Sequence, residues 1–395
     1  MRGHIRPRGK DTWVIVVDVG KDPATGKRKQ KWVTVKGTKR DADRKLAELL
    51  NDLNKGSYVE PPKITVGEYL DRWLEDYARA NTSQRTFERY AEIVRLHLKP
   101  ALGGLQLSQL RPLHLQQYYT TALREGRKDG KPGGLSPRTV LHHHRVLHEA
   151  LDQAVRWQLL ARNPADAVEP PRPERHEMQV LTAEQVRLLL EAAQDTPWYV
   201  PVLLAVTTGM RRGEILGLRW SDVDLETGIL SVRQTIQTSR ELGLVFKEPK
   251  TDKSRRSLPV PAYVVEVLRE HRKRQAEVRL AAGPRYQDHG LVVSAPDGTP
   301  IHPDSFSKAF ARIARKAGVP ATRLHDSRHT HASLLLAQGV HPKIVSERLG
   351  HSGVGITLDT YSHLLPGLQE EAVRRLGDTL FGERQTVGRQ RKGGR

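Results

Sequence analysis

The sequence predicts a multidomain chain, mainly α with small β elements. Three observations carry this. Segments with strand composition are read in the N-terminal sixty residues and in one stretch of the second half. Apolar residues recur at helical spacing, behind capping residues, over most of the rest. A proline-rich charged segment separates the halves, and 395 residues suit two or three domains.

Residues 1 to 60 form a small basic module. Trp13 to Val19 and Lys31 to Val35 have strand composition, Asp22-Pro23-Ala24-Thr25-Gly26 has turn chemistry, and a third strand fits His4 to Arg8. A helix follows from about Arg40 to Asn54, with Leu46, Leu49, Leu50 and Leu53 on one face. The expectation is a three-stranded sheet plus one helix. Residues 1 to 40 hold twelve Lys or Arg against three Asp, a net of +9. Such a sheet is expected to touch DNA.

Residues 61 to 165 read as a helical unit. Val66 to Ala78 carries Val66, Tyr69, Leu70, Trp73, Leu74 and Tyr77 as a core-facing stripe. Thr82 or Ser83 caps a second helix reaching about Leu98, and a third spans Pro112 to Arg124. Glycines between Glu125 and Leu135 make a loop, and Ser136-Pro137 opens a fourth helix to about Gln158. Residues 166 to 180, with Pro170, Pro171 and Pro173, are a linker. The domain at 181 to 381 opens on the cap signature Leu181-Thr182-Ala183-Glu184. Ile229 to Val232, Leu244 to Lys247 and Arg256 to Val260 are its strand candidates. Residues 382 to 395 read as a disordered basic tail.

A net charge of +20 makes nucleic acid the leading partner, an anionic membrane surface the competitor. No run approaches the roughly 18 apolar residues of a spanning helix, and the N-terminus lacks a signal-peptide core. Zero cysteines exclude disulfides, thiolate catalysis and Cys-ligated metals. A cytoplasmic, nucleoid-associated protein is expected.

One constellation carries chemistry. Arg211 lies in Thr207-Thr208-Gly209-Met210-Arg211-Arg212-Gly213-Glu214. His325 and Arg328 lie in His325-Asp326-Ser327-Arg328-His329-Thr330-His331. His351 follows Leu349-Gly350, and Tyr361 sits in Leu358-Asp359-Thr360-Tyr361-Ser362-His363. Two arginines, two histidines and a tyrosine suit attack on a phosphodiester without a metal. Guanidinium groups spread hydrogen bonds over the charged equatorial oxygens and stay protonated. A phenol, with a pKa near 10, needs help before it attacks. The departing oxygen needs a proton from a lysine or histidine. Lys250 is the lysine candidate, in turn chemistry between two strand candidates, where a hairpin would reach a minor groove. Composition does not select it over Lys247 and Lys253. Gly209 and Gly213 beside Arg211 permit tight turns and close backbone approach to a phosphate.

These motifs, in this order, resemble the tyrosine site-specific recombinases, specifically the integrases of phages and other mobile elements. The matches are Thr208 to Glu214, Lys250-Thr251, His325 to His329, Leu349 to Ser352 and Thr360 to His363. Ser327 departs, standing where many relatives carry leucine. The resemblance implies that Arg211 and Arg328 hold the scissile phosphate and that His325 and His351 hydrogen-bond it, His325 also assisting proton transfer. It further implies that Lys250 protonates the leaving 5′ oxygen and Tyr361 forms a 3′-phosphotyrosyl link. Residues 1 to 60 would then bind arm-type sites and residues 61 to 165 would be a SAM-like core-site-binding domain. Residues 181 to 381 would be a mixed α+β catalytic domain. The implied assembly is a homotetramer on double-stranded DNA, exchanging strands through a Holliday junction without metal, ATP or other cofactor. An excisionase or DNA-bending protein would assist.

Blander readings stand beside this one. His325, His329 and His331 as a metal cluster lack an acidic partner set. His142-His143-His144 with His148 reads as a DNA-facing or solvated surface. The stripe Leu364, Leu368, Ala372, Leu376 and Leu380 is packing, or docks on a neighbouring subunit. A type IB-like topoisomerase and a catalytically inactive DNA-binding regulator are the alternative functions.

Overall fold

The computed structural model describes residues 3–21, 26–54, 63–174, 178–249, 255–361 and 368–381. It divides into two compact units, Met1–Arg175 and His176–Arg395. No helix among the described residues is long and apolar enough to cross a membrane. The expected tail at 382–395 lies outside the described residues.

In the first unit, β1 (Gly3–Gly9), β2 (Thr12–Lys21) and β3 (Arg28–Lys36) form one antiparallel sheet in that order. Alternation along the strands sorts the side chains. Ile5, Ile15 and Val33 align in one row, and His4, Val16 and Trp32 in the next. Helix α1 (Lys39–Asn54) covers the first face with Leu46, Leu49, Leu50 and Leu53. Trp32 is 61% exposed.

The helical part starts at α2 (Val66–Trp73), where Thr65 and Glu68 form a capping box. Ser83 caps α3 (Gln84–Ile93) by accepting from the Thr86 amide. Each of these helices runs on through one π turn, at Leu74–Ala78 and Val94–Leu98. α4 (Pro112–Glu125) and α5 (Pro137–Arg156) complete the core, with Ser136 capping α5. Tyr69, Leu70, Trp73, Leu98, Leu115 and Leu147 are buried together. The Tyr69 hydroxyl donates to the Ala150 carbonyl at 2.5 Å.

The histidine run on α5 is not one solvated surface. His142 is exposed, but His143 is fully buried, stacked on the Tyr118 ring and 2.7 Å from its hydroxyl. The helical rotation that forbids a shared metal also turns the middle histidine into the core. Burial pushes its imidazole down to about 3.

The second unit begins with α6 (Ala183–Ala193), capped by Thr182 with Gln185. α7 (Tyr199–Thr208) is apolar all round and buried from Val200 to Val206. Each such valine or leucine contributes roughly 1.5–3 kcal/mol on burial. Short α8 (Arg212–Leu216) follows. β4 (Val223–Asp224), β5 (Ile229–Val232) and β8 (Arg256–Pro259) make one sheet, while β6 (Thr235–Ser239) and β7 (Gly243–Lys247) pair separately. The expected hairpin around Lys250 is therefore corrected: β7 turns back on β6, and β8 pairs with β5. Lys250 itself lies outside the described residues. α9 (Ala262–Ala282), α10 (Pro303–Lys316), α11 (Leu324–Ala337), α12 (Pro342–Leu349), α13 (Val354–Tyr361) and α14 (Leu368–Phe381) complete the unit. On α14, Leu376 and Leu380 are exposed.

Gly213 serves packing rather than approach to a phosphate. A Cβ there would collide with the Thr235 hydroxyl and stand 2.6 Å from the Ile236 carbonyl oxygen. Glycine to alanine in an unobstructed helix is stabilising. Here Gly213→Ala should instead cost about 1–3 kcal/mol through overpacking against β6. The check is the thermal unfolding midpoint of the full chain, which should fall; an unchanged or raised midpoint contradicts this contact.

Candidate active site

The site grows from two helix ends. α7 stops where Gly209 takes the left-handed conformation, φ 64°. A side chain at this position would run into Leu349 and His331, each within 2.8 Å. Two residues on, Arg211 occupies the N-cap position of α8 in extended conformation. α12 stops in the same manner at Gly350, φ 65°, which delivers His351. Carbonyl groups at helix C-termini lack intrahelical donors and carry partial negative charge.

Arg328, on α11, takes up these carbonyls. Its Nη1 donates to the Gly209 oxygen at 2.8 Å and its Nη2 to the Leu349 oxygen. The residue is 4% exposed. Burial, then the neighbouring Arg211 charge, pushes its guanidinium down to about 9, so it remains a cation at neutral pH. The Arg211 side chain is 41% exposed. It donates Nη1 to Glu214 Oε1 at 2.8 Å and Nη2 to the Gly350 oxygen at 3.3 Å.

Glu214 ties this frame together. Its carboxylate also accepts from the Arg211 amide at 2.8 Å and from Arg256 Nη2 at 2.8 Å. Burial alone would raise this carboxyl. The hydrogen bond and charge of Arg256, then the charge of Arg211, overcome that and hold it below its ordinary value. Arg256, the first residue of β8, donates its Nε to the Arg348 carbonyl at 2.7 Å. Arg348 in turn donates to His331 Nε2 at 3.0 Å and to the carbonyls of Thr207 and Pro259. Arg256 and Arg348 were not singled out from the sequence. Their partners are distant in the chain, and only the density of arginine in these motifs hinted at them.

The histidines separate by role. His331 is 6% exposed and points into the core, its Nδ1 donating to the Val206 carbonyl at 3.0 Å. With both nitrogens engaged, it joins no cluster with His325 and His329. The His325 and His329 rings meet edge to face, 5.2 Å between centroids. His325 reaches solvent, yet desolvation of its packed side, then Arg328, lowers its pKa. His351 bonds the Thr357 hydroxyl through Nδ1 at 2.8 Å, and desolvation followed by Arg328 and Arg211 pushes it down to about 4. Ser327, at the departing position, is buried and satisfied, its hydroxyl donating to the Leu324 carbonyl at 2.7 Å.

Tyr361 ends α13 and is 1% exposed, packed with Ala332, Leu336, Val345 and Leu349. Its hydroxyl lies 2.6 Å from His329 Nδ1. Burial pushes the phenol up to about 12, against the opposing pull of Arg328. In the first unit, His148 lies between Asp152 and Asp166, at 3.2 and 2.8 Å, and these three are the described residues whose donor atoms stand close enough for a metal ion.

The fold places a buried tyrosine close to a frame of fixed guanidinium groups, an arrangement suited to phosphoryl transfer. Comparison with known proteins identifies the family. The Phage integrase family profile matches residues 179–367, and that of the phage integrase N-terminal SAM-like domain matches residues 65–123. A tyrosine recombinase XerC-like protein of Caldanaerobacter subterraneus is 32% identical over 94% of this chain and 97% of its own length. An integrase of Streptomyces ambofaciens is 31% identical over 92% of each. The Tn1549 transposon integrase, solved with a circular intermediate DNA, superposes with a TM-score of 0.66 at 20% identity, over 79% of this chain and 99% of that one. A lambda integrase dimer bound to a COC′ core site gives 0.56 at 17% identity, over 90% and 93%. The chain belongs to the tyrosine recombinase, or phage integrase, family. It is a site-specific DNA recombinase.

The depressed pKa of His331, about 4, carries a sign for stability. Its folded value lies below the unfolded one near 6.5, so below that value the unfolded chain binds the extra proton. The His331 contribution is therefore complete above pH 6.5 and is lost as pH falls toward 4. Between pH 7 and 5 the loss should be about 2 kcal/mol. The protection factors of the α7 amides, exchange rates corrected for the intrinsic pH dependence of amide exchange and read by mass spectrometry, should fall over this range and fall less in His331→Gln. Equal pH dependence in the two proteins would contradict the assignment.

Proposed function

We propose that this recombinase cleaves DNA through a covalent bond between Tyr361 and a 3′ phosphate. The observation that carries the reading is the shared anchoring of the site. Arg211 and Arg328 hang from the carbonyls of Gly209, Leu349 and Gly350, and Leu349 also packs with Tyr361. A phosphate entering beside the half-exposed Arg211 would meet two preorganised guanidinium groups. Fixed charge of this kind stabilises a developing phosphorane-like anion without reorganisation. His351 and His325 would hydrogen-bond the phosphate oxygens, and Lys250 would protonate the leaving 5′ oxygen. Because the phosphotyrosyl link conserves the bond it replaced, rejoining needs no ATP.

The same reading assigns residues 1–60 to arm-type sites, residues 61–165 to the core site, residues 166–180 to a linker and residues 181–381 to catalysis. Support for the first comes from Trp32, which stands exposed on a strongly basic module. Double-stranded DNA is the partner, bound with steep salt dependence because many phosphates are neutralised. Four copies would act on two core sites and resolve a Holliday junction. The exposed Leu376 and Leu380 of α14 support docking on a neighbouring copy. The outcome is integration or excision of a mobile element, with an excisionase or DNA-bending protein as accessory.

Tyr361→Phe should retain duplex binding and abolish covalent complex on a nicked suicide substrate; covalent product from this variant removes the assignment. Arg211→Ala and Arg328→Ala should each slow single-turnover cleavage by about 10²–10³-fold, the cost of losing one preorganised donor. Wild-type rates in either variant would contradict the phosphate-binding role. Deleting residues from Gly367 onward should weaken tetramer assembly on DNA in native gels, and unchanged assembly removes the docking role of α14.

A further inference from the structure

Tyr361 poses a proton-transfer problem that turns on what its hydroxyl touches. A phenol attacking phosphorus must give up its proton, and this one is 1% exposed. Bulk water and hydroxide do not reach it. Its pKa is pushed up rather than down, so ionisation before attack is unfavourable. The group on the hydroxyl is Nδ1 of His329, at 2.6 Å, placed to accept when the ring carries its proton on Nε2. The contact joins two elements, α11 and α13, and the residues are 32 apart in the chain.

We propose that His329 is the general base for the nucleophile, taking the Tyr361 phenolic proton on Nδ1 as the oxygen attacks phosphorus. This rests on Tyr361 being the nucleophile. The step balances. The Tyr361 oxygen bonds to phosphorus while its proton passes to His329, which becomes an imidazolium. The bond from phosphorus to the 5′ oxygen breaks, its electron pair staying on that oxygen, which takes a proton from the general acid. In rejoining, the freed 5′ hydroxyl attacks and gives its proton back to the group that supplied it, the phosphotyrosyl bond breaks, and the imidazolium returns its proton to the phenol oxygen.

The surroundings suit a base. A general base must be neutral before the reaction and within hydrogen-bond reach of the proton. His325, Asp326, Arg328 and the more distant Arg323 act on His329 from α11 and its cap. From other elements it faces Tyr361 on α13 and lies close enough to His351 for its charge to lower the pKa of that ring. Desolvation, then His325, lowers its pKa, so the ring is free to accept at neutral pH. Once charged, it stands beside the new phosphodiester as a further cation. His325 sits one helical turn away at 5.2 Å and edge on. That leaves His325 to the phosphate side, while His329 serves the nucleophile.

The test is single-turnover cleavage of a nicked suicide substrate from about pH 6 to pH 9 by the full chain, with duplex affinity measured in parallel. His329→Asn keeps an acceptor oxygen near the Nδ1 position but cannot hold the proton. It should bind DNA as the wild type does and cleave about 10²–10⁴-fold more slowly at neutral pH. Its rate should climb about tenfold per pH unit, whereas the wild-type rate levels off once His329 is neutral. Replacing Tyr361 by difluorotyrosine, whose phenol is more acidic, should restore more rate to His329→Asn than it adds to the wild type. Wild-type rate and pH profile in His329→Asn overturn the proposal. So does a loss that is independent of pH and untouched by the fluorinated residue, which marks a purely structural role. Tyr361→Phe separates the two claims. If it still forms a covalent complex, the nucleophile reading fails; if it does not, while His329→Asn is unimpaired, only the role of His329 fails.

Discussion

The grip of helix-end carbonyls on the Arg328 guanidinium organises the catalytic unit. A cation this deeply buried costs several kcal/mol in lost hydration unless its donors are satisfied. Here the acceptors are the Gly209 and Leu349 oxygens, each at or beside a left-handed glycine that ends a helix. Three sequence-distant motifs are thereby fixed to one another. The Gly209 loop presents Arg211, the Leu349-Gly350 turn presents His351, and α11 carries His325 and His329. Glu214 offsets part of the concentrated positive charge and extends the frame to Arg256, the first residue of β8.

Rigidity and charge have one origin in this arrangement. The guanidinium groups are held by carbonyls and one carboxylate, so little reorganisation is needed when an anion arrives, which is the condition for electrostatic catalysis. The phenol is kept neutral and out of water. Such an arrangement suits an enzyme whose nucleophile must react with one phosphate and not with solvent-borne electrophiles. On the proposed reading, the His329 contact gives that guarded phenol a route for its proton.

Much of this was legible in the sequence, because it rests on local chemistry. Ser136, Thr182 and the pair Thr82 and Ser83 announced helix starts, and Ser83, Ser136 and Thr182 each cap one. Arg211, Arg328, His351 and Tyr361 were picked out by motif, and the structure brings their segments together. What escaped depends on contacts distant in sequence. β6, Thr235 to Ser239, has a single apolar residue and is a strand because β7 pairs with it. The π turns after α2 and α3 have no local marker. Arg256 reaches a carboxylate 42 residues away, and Arg348 a carbonyl 141 residues away. His143 looked like surface until Tyr118 and His97 closed over it. Gly213 looked like a phosphate-approach glycine, but β6 fills the space beside it.

The most direct measurement is the mass of the DNA-linked peptide. Wild-type protein would be trapped on its suicide substrate, digested with trypsin and nuclease, and sequenced by mass spectrometry. The peptide spanning residues 349–374 should carry a nucleotide remnant on Tyr361. A remnant on any other residue, or none on a substrate that is demonstrably cut, would contradict the account.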